Sequence, residues 1–539
     1  MSKQADSFEV SEKMAELTAA TEVRGEDKRT PIFPIALGAP RVSARVIPEL
    51  TCGQRVRVEA LLHEATGADY LDKEVTVCGW AKTCRKQGGG RSFIELNDGS
   101  CVRNLQVVVD RGCLSEEVGA QVAKAGVAYS FRIRGRLVRS PKDEQTYEMQ
   151  VCDSEKHSVR VLGGADQAKY PLAKKNHSKE YLREIQHLRP RSYMMGCVMR
   201  VRSALAMAIH EFFQSRGYVY VHTPIITGAD CEGAGEMFQV TTMMPESGLI
   251  KDIPATKDGK IDYKKDFFGK LANLTVSGQL NLENFACSLG DTYTFGPTFR
   301  AENSHTSRHL AEFWMIEPEM AFAELEDIME CSEAFLRFCV QYILDRHAGD
   351  IAWLEKNVEE GLSARLKNVA ESHFARCSYT EAIELLKQQP EGKFGDDRIF
   401  WGMDMGSVHE RFLSEEHFKK PVIVYNYPYE LKAFYMKVNT DVGVAPGATV
   451  RAMDVLVPAI GEVIGGSQRE ENLELLDKQI ADKGLPQDNY WWYRELRSYG
   501  TVPHAGFGLG FERLVMMVTG VENIRDVIPF PRYPGNCEF

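Results

Sequence analysis

The sequence has no run of about 18 apolar residues, the least that would span a bilayer as a helix, so an integral helical membrane protein is excluded. It has no CxxC pair. Its 13 Cys among 539 residues are odd in number and irregularly spaced, which argues against a disulfide framework and a zinc knuckle. There is no internal repeat or low-complexity tract. There is also no GxxxxGK[ST] loop and no GxGxxG opening a helix after a first strand, so a nucleotide would have to be held some other way. The first residues, MSKQADSFEVSEKMAEL, lack the charged-then-apolar layout of a secretory signal, and their acids disfavour a transit peptide. Reduced thiols and a cytoplasmic location are the expectation.

What is present is ordinary for a globular protein: 44% hydrophobic and 26% charged residues, which rules out bulk disorder. The length suggests about three or four domains. Residues 1–70 read as a polar, Pro-interrupted extension, with RTPIFPIALGAP as an extended linker. Over 71–165 the chain changes to short Val-, Phe-, Tyr- and Ile-rich runs (VTVCGWAKTC, SFIELNDG, NLQVVVD, SFRIRGRLV, TYEMQVCD) separated by Gly, Asn, Asp and Pro clusters. Five such strands predict a small β-barrel of the OB-fold type. Residues 166–192 form a basic linker. From Leu71 to Arg191 there are 22 Lys/Arg against 15 Asp/Glu, or +7, so the remainder of a chain of net charge −11 carries −18. A basic barrel on an acidic body is a docking end for a polyanion, although a solvated charged face reads the same way from composition alone. Over 193–539 a long helix (MRVRSALAMAIHEFFQSRG) precedes YVYVHTP, LTVSGQL, TYTFGPTFRAE, EFWMIEPEMAF, PVIVYNYP, AFYMKV, AMDVLVP and GFGLGF. Runs of strands with few intervening helices predict an α+β domain built on an antiparallel sheet.

Three stretches carry chemistry. In TFRAENSHTSRHLAEFWMIEPE, Arg300 and Glu302 share a strand face, and Arg308, His309 and Phe313 follow across a polar loop. A guanidinium can grip a phosphate and an aromatic can stack on a base; a structural ion pair beside a core Phe is the alternative. In GFGLGFERLVMMVTG, alternate Gly residues up to Gly510 would let a flat ligand approach the sheet. Arg513 follows near a helix start, where the dipole disfavours a cation; a nearby polyphosphate would offset that cost. The third stretch, RGYVYVHTP, closes on Pro224.

Together these stretches resemble motifs 2, 3 and 1 of the class II aminoacyl-tRNA synthetases, and with the barrel the likeness covers about residues 71–539. The Rossmann-type synthetase signatures HIGH and KMSKS are absent. The likeness is to subclass IIb, whose members carry an N-terminal OB-fold and treat aspartate, asparagine and lysine, and within it to the asparagine branch. The resemblance implies ATP as substrate with Arg300 on the α-phosphate, Glu302 placing the adenine and the tRNA end, and Arg308 and His309 at the γ-phosphate. It implies Phe313 and Arg513 on either face of the adenine, and a homodimer through the region of Pro224. Asp454 and Glu462, eight apart across Pro and Gly, suit two strands and become candidate ligands for Mg²⁺.

The choice of amino acid rests on SGQLNLE. Aspartyl enzymes read SPQ there, followed by a Lys; here that Lys position is Leu282, beside Glu283. A carboxylate accepts from a carboxamide NH₂ and repels a carboxylate, so Glu283 would read asparagine, with Arg469 donating to the side-chain oxygen. Ser277, Gln279 and Glu232 resemble the residues around the amino-acid group. The expected reaction is attachment of L-asparagine to tRNA(Asn) through an asparaginyl-adenylate, by positioning and charge stabilisation without a nucleophilic side chain. Phe93, with Arg85 and Gln106, would meet the anticodon on the barrel, unless Phe93 is a barrel-core residue. Three rivals stay open: an aspartyl-tRNA synthetase, a catalytically inactive synthetase-like RNA-binding or regulatory protein, and a tRNA-independent amide-forming enzyme.

Overall fold

The computed structural model describes residues 54–539 apart from 142–144, 173–176, 232–235, 441–442 and 444, and for 64 and 65 the backbone alone. The linker RTPIFPIALGAP lies outside the described residues. The end of the expected extension is not peripheral, however. Val56, Val58, Ala60, Leu61 and Leu62 are buried in the same core as the barrel strands, because apolar residues ahead of β1 find the barrel's open end.

Six strands form the N-terminal sheet: β1 (Glu74–Lys86), β2 (Arg91–Asn97), β3 (Leu105–Asp110), β4 (Ser130–Arg139), β5 (Tyr147–Val151) and β6 (Ser158–Gly163). Their order is β1-β2-β3-β5-β4-β6, and β1 also pairs with β4, which closes a five-stranded barrel with β6 appended. One strand can serve both edges because β1 is 13 residues long. Its first half pairs with β4 and its second with β2. Gly79 lies at this crossing, where an added Cβ would sit 2.6 Å from the Asn97 carbonyl oxygen. The alternation read in SFRIRGRLV holds: Phe131, Ile133, Gly135 and Leu137 are buried while Arg132, Arg134 and Arg136 are exposed.

The larger domain is an eight-stranded sheet ordered β13-β14-β15-β16-β17-β12-β11-β7. Its members are β7 (Val219–Tyr220), β11 (Asp291–Phe299), β12 (Glu312–Ala321), β13 (Ala375–Ser378), β14 (Val422–Pro428), β15 (Thr449–Val457), β16 (Gly461–Gln468) and β17 (His504–Gly510). Every pairing from β14 to β11 is antiparallel; the two edges, β13 and β7, run parallel to their neighbours. A separate small sheet joins β8 (Ile226–Thr227), β9 (Gln239–Val240) and β10 (Ala272–Leu274) in the order β8-β10-β9. The helix Leu325–Arg346, whose start is a reciprocal Glu324/Asp327 capping box, buries Phe335, Leu336 and Cys339. The helix Tyr193–Gln214 is capped by Ser192, whose Oγ accepts from the Met195 N–H. No described helix is long and apolar enough to cross a membrane.

Two strand expectations fail. Of LTVSGQL only Leu274, the last residue of β10, is strand; from Gln279 the chain is a helix, Gln279–Leu289. Its buried residues, Gln279, Leu280, Leu282, Glu283 and Ala286, recur at helical spacing. AFYMKV makes only isolated bridges, Met436 to Arg469 and Val438 to Val450, because β16 takes that edge of β15 from Ala452 onward and leaves only its first residues free.

Candidate active site

A cavity of about 210 Å³ opens on the face of the large sheet. Arg300, at the end of β11, and Met315, Glu317 and Glu319 on β12 line one side; Gly465, Gly466 and Gly508 form its floor, and Arg469, Lys432, Asp454 and Glu462 complete the other side. The hairpin β11–β12 holds Arg300 beside Phe313: the guanidinium lies 5.5 Å from the ring centroid. Arg300 and Glu302 are 3.9 Å apart with side chains 31% and 42% exposed, so their attraction is weak and does not explain the arrangement. In the loop that follows, the His309 Nδ1 lies 2.7 Å from the Ser304 hydroxyl and 2.8 Å from that of Thr306.

Across the sheet, Gly510 caps the helix Phe511–Thr519, and Arg513 stands in its first turn. Where a polyphosphate was expected to offset that position, a protein carboxylate already stands: Arg513 Nη1 donates to the Glu462 backbone oxygen at 3.1 Å and to its carboxylate at 3.2 Å. Two of the alternate glycines also have a packing reason to lack a side chain. A methyl group at Gly506 would overlap the Glu319 carboxylate and the Pro318 carbonyl, and one at Gly508 would lie 2.7 Å from Met315 Cε. The space at Gly506 is filled from within, because β12 presses Glu319 against β17; only Gly508 also borders the cavity.

Asp454 on β15 stands opposite Gly465, and Glu462 lies three residues before that glycine on β16, so the two acids are on two strands as the spacing suggested. An ideal Cβ on Gly465 would stand 3.3 Å from Asp454 Oδ1 and 3.2 Å from Glu462 Oε1. One oxygen of each acid thus converges over a bare glycine, while Asp454 Oδ2 accepts from Lys432 Nζ at 2.7 Å and Glu462 Oε2 from Arg513. Two hard oxygens over an open face fit a divalent cation that keeps most of its water and takes its other ligands from phosphate. Burial raises the Asp454 carboxyl against the pull of Lys432. Burial acts on Glu462 in the same direction, but Arg513 and Lys432 outweigh it and hold that group below the usual range. Glu410 accepts the Glu462 N–H at 3.0 Å. Burial, followed by repulsion from Glu462, pushes its carboxyl up to about 7.

Around Arg469 and Glu319 lies a buried polar network. Arg469 donates from Nε and Nη2 to both Glu319 oxygens, at 3.0 and 2.8 Å, and from Nη1 to Ser467 Oγ at 2.8 Å. The Ser277 hydroxyl donates to Glu317, whose other oxygen accepts the Gly278 N–H at 2.9 Å. Glu283 departs from its expected place. It is fully buried and does not border the cavity. Its oxygens accept from Gln279 Nε2 (3.2 Å), Tyr493 Oη (3.1 Å) and Arg497 Nη2 (3.1 Å), and lie 2.9 Å from His504 Nε2. Helical spacing puts Glu283 one turn behind Gln279, so Gln279 faces the cavity and Glu283 backs it. The Arg469 Nε is 4.0 Å from Glu283, which makes the two neighbours, with Arg469 in front. Glu283, Glu319 and His504 bring potential metal-ligating atoms within 4.8 Å of one another, but Arg469 and Arg497 already supply the positive charge there. Glu232 lies outside the described residues.

On the barrel, Phe93 alternates with buried Ser92, Ile94 and Leu96 and is half-exposed, so it is not a core residue. Arg85 is its cross-strand partner on β1, and Gln106, next to Glu95 on β3, donates to Glu148 at 3.2 Å. The three share the outer face of β1–β3.

Glu317, Glu319, Lys432 and Glu410 were not picked out from the sequence. For the first two a signal existed: acids two apart inside an apolar strand run share the face that also points inward. Lys432 and Glu410 reach the site from a turn and a short helix and carry no local signature.

The architecture, a closed OB barrel joined to a largely antiparallel sheet with cavity, arginines and acids on one face, defines a class II synthetase. Comparison with known families agrees. Residues 178–534 match the family described as tRNA synthetases class II (D, K and N), and residues 75–155 match the OB-fold nucleic acid binding domain. The chain belongs to this class II family. Among particular proteins, it is 54% identical over 476 residues to the asparagine–tRNA ligase of Nitratidesulfovibrio vulgaris (strain Hildenborough), covering 88% of this chain and 98% of the relative. It is 52% identical over 472 residues to the asparagine–tRNA ligase of Clostridium botulinum (strain Alaska E43), covering 87% and 97%. The asparaginyl-tRNA synthetase of Pyrococcus horikoshii, solved with asparaginyl-adenylate, superposes with a TM-score of 0.74 at 31% identity over 91% of this chain and all of that one.

Proposed function

We propose that this chain attaches L-asparagine to tRNA(Asn) at the expense of ATP, by way of an asparaginyl-adenylate. The observation that carries this reading is the double donation of Arg469 to Glu319 at the cavity wall, backed by Glu283, in a chain about half identical to asparagine–tRNA ligases. Arg469 is held by Glu319 and Ser467 with its outer edge toward the cavity, where it can donate to a carboxamide oxygen. Glu317 and Glu319 supply the negative wall, which accepts from the NH₂ and α-ammonium groups and opposes a second carboxylate. Like charges in a desolvated pocket cost several kcal/mol, a preference of about a thousandfold.

In the first step the substrate carboxylate attacks the α-phosphorus in line and pyrophosphate leaves. Arg300 stabilises the charge that builds on the α-phosphate, and the sheet fixes the approach; no side chain is consumed. Phe313 and Arg513 flank the adenine, the latter by cation–π stacking, with Glu302 placing the adenine and the tRNA end. Arg308 and His309 reach the γ-phosphate from their loop. Asp454 and Glu462 would hold Mg²⁺, which when bound neutralises phosphate charge. In the second step the terminal ribose hydroxyl of tRNA attacks the acyl group. The outer face bearing Arg85, Phe93 and Gln106 binds the anticodon by stacking and charge. Glu232 and Gln279 would hold the α-amino group. A homodimer forms through the surface around Pro224, where Val219, Ile225 and Ile226 are 42–44% exposed, and the protein works in the cytoplasm, in keeping with the twelve free cysteines among the described residues.

ATP–pyrophosphate exchange across a panel of amino acids tests the assignment. Exchange stimulated by asparagine alone is expected. Preference for aspartate would transfer the chain to the aspartyl branch, and no exchange with any amino acid would make it an inactive relative.

A further inference from the structure

The acids over Gly465 are already matched by fixed cations. Lys432 follows the turn after β14 and reaches Asp454 Oδ2 at 2.7 Å, the two side chains only 19% and 14% exposed. Its ammonium also stands 3.9 Å from the Tyr427 ring centroid, which fixes it from a second side. Glu462 is paired with Arg513 at 3.2 Å, and Arg300 borders the same cavity. Each carboxylate therefore has a resident positive partner, and one oxygen of each still turns to the open face of Gly465. A dication entering this place without an accompanying anion would lose water and gain little net attraction, because the negative charge it seeks is already answered. The triphosphate of ATP changes that balance, since it brings an excess of negative charge to the same cavity.

We propose that Lys432 is a positioning residue that makes divalent-cation binding at Asp454 and Glu462 conditional on the nucleotide. It pins Asp454 with Oδ1 forward and cancels the charge that would otherwise draw in a bare ion. The empty enzyme then stays free of a trapped metal, and the ion arrives with ATP in the stoichiometry the reaction uses. This rests on the reading of the two acids as the cation site.

Binding of Mn²⁺ to the full-length protein, followed by electron paramagnetic resonance without nucleotide, tests it. Wild type is expected to bind weakly at this site. Lys432→Met should bind at least about tenfold more tightly, since one buried unit charge has been removed from beside a dication. Lys432→Gln, which keeps the hydrogen bond and most of the side chain, should do the same, and Lys432→Arg should restore weak binding. Mere loss of packing would not tighten metal binding. Adding Glu462→Gln to Lys432→Met should abolish the gain. Tight binding by nucleotide-free wild type, or no tightening in either neutral variant, overturns the role of Lys432 and leaves the acids as the cation site. A gain that survives Glu462→Gln shows that the ion sits elsewhere, and the proposal falls with the site reading.

Discussion

Arg300 borders the cavity, while its link to Glu302 is loose and solvent-screened. Arg300→Ala is therefore expected to abolish pyrophosphate exchange while thermal unfolding moves by no more than about 1 kcal/mol; a large fall in stability would recast it as structural. Glu283 is the opposite case. It is enclosed by Arg497, Tyr493, Gln279 and His504, and loss of its charge leaves buried cations uncompensated. Glu283→Gln should cost about 3–5 kcal/mol of stability and, by loosening Gln279 and Arg469, raise KM for asparagine and narrow the gap to aspartate. Unchanged selectivity would confine it to stability. Glu410 offers a pH test in the metal-free protein. Its folded carboxyl lies near 7, above the unfolded value, so the folded state binds the extra proton. Its contribution to stability is then largest below the unfolded value and is lost as pH rises toward 7. Glu410→Gln should remove that part of the decline, visible as a flatter profile of urea midpoint against pH between about 4.5 and 7.

At the scale of elements, the β12–β17 pairing sets the amino-acid side. Glu319 opposes Gly506 across the two strands, and the glycine leaves room for the carboxylate that steers Arg469. Gly506→Ala forces Glu319 out or pushes the strands apart, since the nearest atoms include backbone. We expect a loss of about 1–3 kcal/mol together with a KM for asparagine raised more than that for ATP, measured by exchange kinetics; equal effects on both would mean a general distortion of the sheet. The helix Gln279–Leu289 shows how one turn alters a role. As a strand, SGQLNLE would have set Gln279 and Glu283 on one face but about 13 Å apart; as a helix it brings Glu283 one turn behind Gln279, within hydrogen-bond reach at 3.2 Å, and the expected direct reader becomes the support of Gln279 and Arg469.

At the scale of the molecule, the barrel meets the end of the linker and the helix Tyr193–Gln214 through polar contacts: Lys82 donates to the Arg191 carbonyl at 2.7 Å, Asn104 to the Tyr193 hydroxyl at 2.7 Å, and Arg200 to the Gly99 carbonyl at 3.0 Å. Phe93 lies on the outer face of the barrel, so Phe93→Ala should raise KM for tRNA about tenfold or more, at about 1–3 kcal/mol per stacked base, and leave exchange unchanged. A fall in exchange would mean that the barrel supports the catalytic sheet directly. Alternation made β4 and the barrel legible from local pattern, and the Arg–Glu hairpin and Gly-rich strand pointed to residues that line the cavity, Arg300 and Gly508, because those demands act on neighbouring residues. Where the charges settle was not written locally. Lys432 and Asp454 are 22 positions apart, Arg469 and Glu319 150, and His504 and Glu283 221. Which acid faces the cavity and which is sealed behind it depends on how the strands stack and which side chains reach a cation first, and no stretch of chain short enough to read as a motif contains both partners.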